Sequence, residues 1–273
     1  MSKILIILIS FFASSELNQN YVSTHMVYYE VIFKSDSTNL DFVSSDLMVL
    51  FVGDKKSKFR NYYQMQRDSL VAAAKENGVA NPGLILGQVN QIQKPKFKYT
   101  IVKDWKNKSY KYYDRIIPDN FVFEGTLVAE DWEILEEFDE YEGFKVQKAI
   151  TTYGGRNFEA WFTTEIPIND GPYVFGNLPG LIVKLNDTKN HYSFNMVGIS
   201  KMEESLDHNM NPVPIKTTRN KYFQLEADFN TNIFERLARA GITMTDPNQA
   251  KEVQNRYDQK NNPLEIQILR DSK

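Results

Sequence analysis

Apolar and polar residues alternate with a period of two along much of this chain, and that pattern predicts strands. Val27, Tyr29, Val31 and Phe33 share one face over 26–33. A second apolar run, 47–52, ends at the turn pair Gly53-Asp54. Over 96–123, the segments 99–102, 110–113 and 121–124 are bounded by Asn, Asp, Lys or Pro, the spacing of an antiparallel meander. Trp132 and Ile134 suggest a strand leading into a central hairpin. Its first arm places Phe144, Val146, Lys148 and Ile150 on one face. Gly154-Gly155 then suits the positive φ of a tight turn, and Phe158, Ala160 and Phe162 share a face of the second arm. The run 181–185 reads as a core strand. Asn186-Asp187 turns it back towards 191–199, where Tyr192, Phe194 and Met196 align. A last edge strand is expected over 264–269.

Helical spacing is confined to a few segments. Ala72-Ala73-Ala74 favours a helix over 61–77, which Gly78 stops and Asn81-Pro82-Gly83 breaks. Ile233, Leu237 and Ala240 repeat at helical intervals within 222–241, and Asn232 with Glu235 resembles a capping box. Asp246-Pro247 opens another helix to Tyr257. These elements predict an α+β, β-rich single domain over 16–273. It has a curved antiparallel sheet, one helix after the second strand and helices near the C-terminus. A half-barrel like that of periplasmic lipoprotein carriers is the shape suggested, a likeness that fixes no function.

Between the central hairpin and the next strand, two prolines and a glycine in 165–172 forbid a helix or a central strand, so the chain crosses the end of the sheet as a loop. Pro179-Gly180 marks a second turn. The stretch carries a resemblance. Gly143-Phe144-x-Val146-x-Lys148-Ala149, Gly155-Arg156, Ala160-Trp161-Phe162-Thr163-x-Glu165-Ile166-Pro167 and Gly171-Pro172-Tyr173-x-Phe175-Gly176-x-Leu178-Pro179-Gly180-Leu181-Ile182 together resemble the GLPGLI family, as does the tail Asn261-Asn262-Pro263-Leu264-Glu265. The resemblance implies a secreted protein of a Gram-negative bacterium, in a family without an established activity. Asn177 stands at the first glycine of the name-giving block, and Val146 stands where the family usually has cysteine, so no role of that thiol carries over.

Composition narrows the possibilities. The net charge of −3 gives no basic field for nucleic acid or an anionic membrane. Lys3 and the apolar run 4–13, followed by Ala13-Ser14-Ser15, fit a signal peptide over 1–15; a buried strand or a membrane anchor is the competing reading. No later run is long and apolar enough to span a membrane. The expected location is therefore periplasmic, outer-membrane associated or extracellular. With no cysteine, neither a lipid anchor at the cleavage site nor a disulfide is available.

Catalytic signatures are absent. His25, His191 and His208 form no metal-binding spacing, and the sequence contains no nucleophile elbow and no phosphate loop. No catalytic residue, cofactor or metal is assigned. The basic group Lys55, Lys56, Lys58 and Arg60 reads as a solvated loop, with an anion contact as the sharper alternative. The acidic run 130–142 reads as a solvated face, since it has no calcium-loop pattern. Arg156 can clamp a carboxylate or pair with Glu159 or Glu165, and Trp161 either packs under the loop or offers a contact surface. Arg156, Trp161, Glu165, Phe175 and Pro179 are thus the candidate contacts of a non-enzymatic binding or envelope-accessory protein. Its partner would be an outer-membrane transporter or a hydrophobic ligand held on the concave face. The alternatives are a hydrolase using Glu159, Glu165 and Asp170, and a metal-binding accessory protein.

Overall fold

A computed structural model describes residues 21–78, 81–127 and 131–266; the expected signal segment 1–15 lies outside them. Twelve strands form one open sheet in the order β12-β6-β5-β4-β3-β2-β1-β11-β10-β9-β8-β7. Most are consecutive antiparallel neighbours: β1 (His25–Phe33), β2 (Ser44–Val52), β3 (Lys56–Asn61), β4 (Thr100–Asp104), β5 (Ser109–Ile116) and β6 (Asp119–Thr126) on one side. On the other side are β7 (Glu133–Tyr141), β8 (Phe144–Tyr153), β9 (Arg156–Thr163), β10 (Leu181–Asp187) and β11 (Tyr192–Lys201). β1 pairs with β11 and joins the two halves. Two-residue β12 (Ile215–Lys216) adds to β6 in parallel.

The sheet curls strongly. β5 and β8 lie eight steps apart, which in a flat sheet would separate them by about 38 Å at ~4.8 Å per strand. Yet the hydroxyls of Tyr110 on β5 and Tyr153 on β8 are 3.3 Å apart. The inner face of the curl is the core. It takes alternate residues from both halves, including Val27, Tyr29 and Val31 of β1, Tyr110 and Tyr112 of β5, and Phe158, Ala160 and Phe162 of β9. The β-rich α+β class and the curved antiparallel sheet are as the alternation predicts.

Helices cover both faces. α1 (Tyr62–Glu76), capped by Asn61, lies against β2 and β3 on the outer face. The chain then forms α2 (Pro82–Gln91), whose cap is Asn81, so the residues expected only to break one helix also begin the next. α3 (Arg219–Thr231) packs against β5 and β6 with Tyr222 in the core. α4 (Ile233–Arg239) and α5 (Pro247–Asp258) follow, the latter capped by Asp246 as predicted.

Five expectations are corrected. Of the basic group, Lys56, Lys58 and Arg60 lie on the outer face of central strand β3, not in a solvated loop, and Lys55 is exposed just before it. Lys58 is 2% exposed and donates to the Ser205 carbonyl, and Arg60 pairs with Asp68 of α1. The first helix consequently follows the third strand. In β8 the buried face is Val146, then Ala149 and Thr151, because Ala149 and Thr151 oppose Ala160 and Phe158 on the core side; Lys148 and Ile150 point outward. Asn232 makes no side-chain cap bond at α4; its amide donates to Asp228 of the preceding helix. Residues 264–266 form no strand, and the remainder of that expected element lies outside the described residues.

Two glycine sites show the backbone demands. Gly154 and Gly155, at φ +57 and +82, make the two-residue β8–β9 turn in which both central residues need positive φ. Gly180, at φ +147, sits so close to β9 that a Cβ would lie 1.9 Å from the Thr163 carbonyl oxygen. Gly180→Ala should therefore destabilise the protein by about 3 kcal/mol or more, whereas Gly143→Ala, with positive φ but open space, should cost about 1 kcal/mol. Urea unfolding of the two variants checks this, and equal losses would contradict it.

Candidate functional site

The crossing loop between β9 and β10 does not skirt the sheet. It enters the curl and fills it. After Thr164 the chain buries Tyr173, Val174, Phe175 and Leu178 within the main core cluster, with Ile166 and Ile168 packed against it. Phe175 meets Trp132, Tyr153 and Phe158, with ring centroids 5.9, 5.4 and 4.8 Å away. Tyr173 reaches the opposite side of the curl, 5.6 Å from Tyr99.

A buried ion pair anchors this loop. Lys103, on the inner face of β4, is 0% exposed, and its Nζ donates to the Asp170 carboxylate, the Gly171 carbonyl at 2.6 Å and the Phe175 carbonyl at 3.2 Å. Asp170 also accepts from Trp105 Nε1 at 3.1 Å and the Gly171 amide at 2.7 Å. Burial pushes the Lys103 ammonium down from the usual lysine range, against the pull of the Asp170 carboxylate. Gly176 lets the indole of Trp105 approach, since a Cβ there would lie 2.3 Å from it, and the Gly176 carbonyl accepts from Trp132 Nε1 at 2.9 Å.

A second polar cluster receives the C-terminal tail. Arg156, directly after the Gly154-Gly155 turn, is buried against Asp187 at 2.9 Å. Its other donors reach Leu264 O at 2.9 Å, Asn262 Oδ1 at 2.7 Å and Pro263 O at 2.7 Å. Arg156 Nη1 and Asn262 Nδ2 are donors only, so His191 Nδ1, 3.3 and 3.2 Å from them, is placed to accept; burial pushes the imidazole down from its usual range. Tyr192 donates to the Asn262 carbonyl at 2.8 Å. Glu265, 2% exposed, accepts from Tyr153 at 3.2 Å, from Tyr173 and from Arg219 of α3. Burial, reinforced by Glu265, pushes the phenols of Tyr153 and Tyr173 well up, so both are neutral donors.

The sequence-predicted contacts therefore occupy different environments. Arg156 spends its donors on the tail, and Phe175 is fully buried. Trp161 is half-buried on the outer face, with the Lys148 ammonium 5.6 Å from its ring. Glu165 is exposed and caps the Lys145 amide at 2.8 Å. Pro179 is exposed at the turn before β10. The three carboxylates considered together are also dispersed: Asp170 is in the core, Glu165 at the sheet end, and Glu159 3.5 Å from Lys148. Among the described residues no group of three or more His, Cys, Asp or Glu could hold a metal ion. From Glu133 on, the acidic run becomes β7, which among the described residues is an edge of the sheet and in which Phe138 is 70% and Ile134 45% exposed.

Sequence reasoning missed Lys103, Trp105 and Arg219, which hold the loop and tail from 67, 65 and 46 residues away. Lys103 alone carried a signal: it lies on the alternation face of Ile101, a charge where a core residue is due.

A family described as a protein of unknown function (Porph_ging) matches residues 94–184, from just before β4 to the middle of β10. No curated protein matches the chain. Two crystal forms of PNGF-II are similar in fold, each with TM-score 0.50 and 14% identity over 74% of this chain. The chain spans about a third of PNGF-II, 33% and 32% of the two solved chains. At that identity the likeness concerns the fold.

Lys103→Met, which leaves Asp170 buried and unpaired, should cost about 3–5 kcal/mol, and adding Asp170→Leu should recover part of that loss. A double-mutant cycle in urea measures it; simple additivity would mean the two side chains act independently.

Proposed function

We propose that this chain is an exported envelope protein of the GLPGLI type that works by presenting its outer surface to a protein partner, an outer-membrane transporter, without catalysing a reaction. The observation that carries this reading is the occupied inner face. The chain's own loop, with Tyr173, Phe175 and Leu178, fills the curl where a hydrophobic ligand would otherwise sit. This supports a surface role over carriage of such a ligand. The dispersal of Glu159, Glu165 and Asp170 likewise speaks against the carboxylate hydrolase. Export and envelope location rest on the segment 1–15 and on the motif resemblance.

The surface best suited to contact is the β7 edge with the adjoining outer face, where Phe138, Ile134, Trp161, Glu165 and Pro179 retain exposure. An open strand edge offers unpaired backbone groups, and an exposed aromatic supplies a contact anchor. The test is photo-crosslinking in living cells, with the reactive side chain placed at Phe138, Trp161 or Pro179 and, as a control, at Val213, which is 86% exposed at the other end of the sheet. One discrete adduct from the first three sites, identified by mass as an outer-membrane β-barrel protein, is the expected result. Absence of any adduct, or the same adduct from Val213, would sink the reading.

A further inference from the structure

Residues 261–265 belong to no helix or strand, yet they are bonded as an extended peptide ligand is. Asn262 has a partner for every polar group it carries. Its amide donates to the Ser35 carbonyl at 3.0 Å and its carbonyl accepts from Tyr192 at 2.8 Å. Its side chain accepts from Arg156 and donates to the Lys34 carbonyl, both at 2.7 Å. Arg156 also donates to the next two carbonyls, Pro263 O and Leu264 O. Glu265 ends the run between two phenols and Arg219 of α3. The groove is set by contacts that do not involve the tail. Asp187 of β10 orients Arg156 at 2.9 Å, and the other oxygen of that carboxylate accepts the His191 and Tyr192 amides at 2.7 and 2.8 Å. The Tyr192 ring lies 5.1 Å from the guanidinium. Nε and Nη2 of Arg156 are thereby held ready for carbonyls, and a pre-organised site loses little free energy to ordering when it is filled.

We propose that this groove is a peptide-recognition site: it reads an extended segment of the pattern Asn-Pro-Leu-Glu, holds the chain's own tail in the free protein, and accepts the same pattern from a second chain. The contacts set the pattern. At the position of Asn262 the side chain must offer an acceptor to Arg156 and a donor to the Lys34 carbonyl; aspartate lacks the donor, and glutamine is one methylene longer. Proline suits the next position, where the carbonyl alone is bonded. Leu264 packs against the core cluster, and the last carboxylate meets Arg219 in a charge-assisted bond. The resident tail is tethered, and a short flexible link gives it an effective concentration on the order of millimolar, so an outside segment enters by displacing it. This site is separate from the outer-face contact proposed above.

The experiment uses a fluorescent synthetic peptide, Asn-Asn-Pro-Leu-Glu-Ile, which is the sequence of 261–266, and the full chain carrying Asn262→Ala, which weakens the resident tail. Fluorescence anisotropy should show saturable binding, about tenfold tighter than to the wild-type chain, whose own tail competes. A peptide carrying Asn262→Asp should bind about tenfold more weakly, since its bond to the Lys34 carbonyl is lost. If the Asn262→Ala chain does not fold, the wild-type chain serves: with unlabelled peptide at about 10 mM, hydrogen exchange of the Asn262 amide should rise about tenfold as the tail is displaced. Sedimentation of the wild-type chain identifies the source of the incoming segment. A dimer that the peptide dissociates assigns it to a second copy, and a monomer that binds the peptide assigns it to another protein. No saturable binding to a folded Asn262→Ala chain, or equal binding of the asparagine and aspartate peptides, would overturn the proposal. So would unchanged exchange at Asn262 in the wild-type chain.

Discussion

A lysine and an aspartate buried together in the middle of the molecule set the conditions for the rest. Taking Lys103 and Asp170 out of water costs several kcal/mol per ion, and a net gain requires near-complete hydrogen bonding of both. The loop supplies it: two of its own carbonyls and its own carboxylate surround one ammonium, while Trp105 and the Gly171 amide complete the carboxylate. The loop can meet those requirements in few conformations. Its proline and glycine content is the means of reaching one, and the filled curl is the result. With the pair in place, Phe175 is set against both β8 and β9 and Tyr173 against Tyr99, so one polar contact fixes where a large aromatic core assembles.

The segments that carry the motif then acquire a common reason. The Gly154-Gly155 turn, Arg156, the loop with Tyr173 and the tail 261–265 are far apart in sequence but adjoin in space. Tyr153 and Tyr173 both hold Glu265, and Arg156 holds Asn262, Pro263 and Leu264. A Cβ at Gly154 would lie 3.0 Å from the Glu265 side chain, so that glycine serves the tail as well as the turn. In a chain without cysteine, these buried charged bonds do the cross-linking that a disulfide would otherwise supply. They tie the last described residues to β8, β9, the loop before β10 and helix α3.

This organisation was only partly legible in the sequence. Strands with clean alternation, such as β1, β9 and β11, could be read because a curved sheet with one apolar face imposes period two on every member. β3 could not, since its outer face carries Lys58 and Arg60, whose charges are met by a loop distant in sequence and by the helix that follows directly. The phase of β8 was set by its neighbour and not by its own residues: Lys148 and Ile150 looked like a continuation of Val146 until Ala149 was placed opposite Ala160. For the candidate site the loop was legible as a loop, from its prolines. Its entry into the core was not, because the partners of Asp170 and Glu265 lie dozens of residues away and no local period records a long-range ion pair.

A core completed from within shifts the question of function to the surface. Likeness to one third of PNGF-II at 14% identity speaks for a shared architecture, and architectures of this kind host unrelated activities. The edge strand β7 shows how the surface can still be selective. Free edges invite pairing with any exposed strand, and charged side chains are a common defence. Here Glu133, Glu136, Glu137, Asp139 and Glu140 lie along such an edge, while Phe138 and Ile134 stay exposed among them. Two copies of this edge repel each other, so self-association through it is disfavoured. A partner that brings positive charge and an apolar seat meets no such penalty. Discrimination by repulsion of the wrong partner needs no deep pocket, and it suits a protein whose interior is already occupied by its own chain.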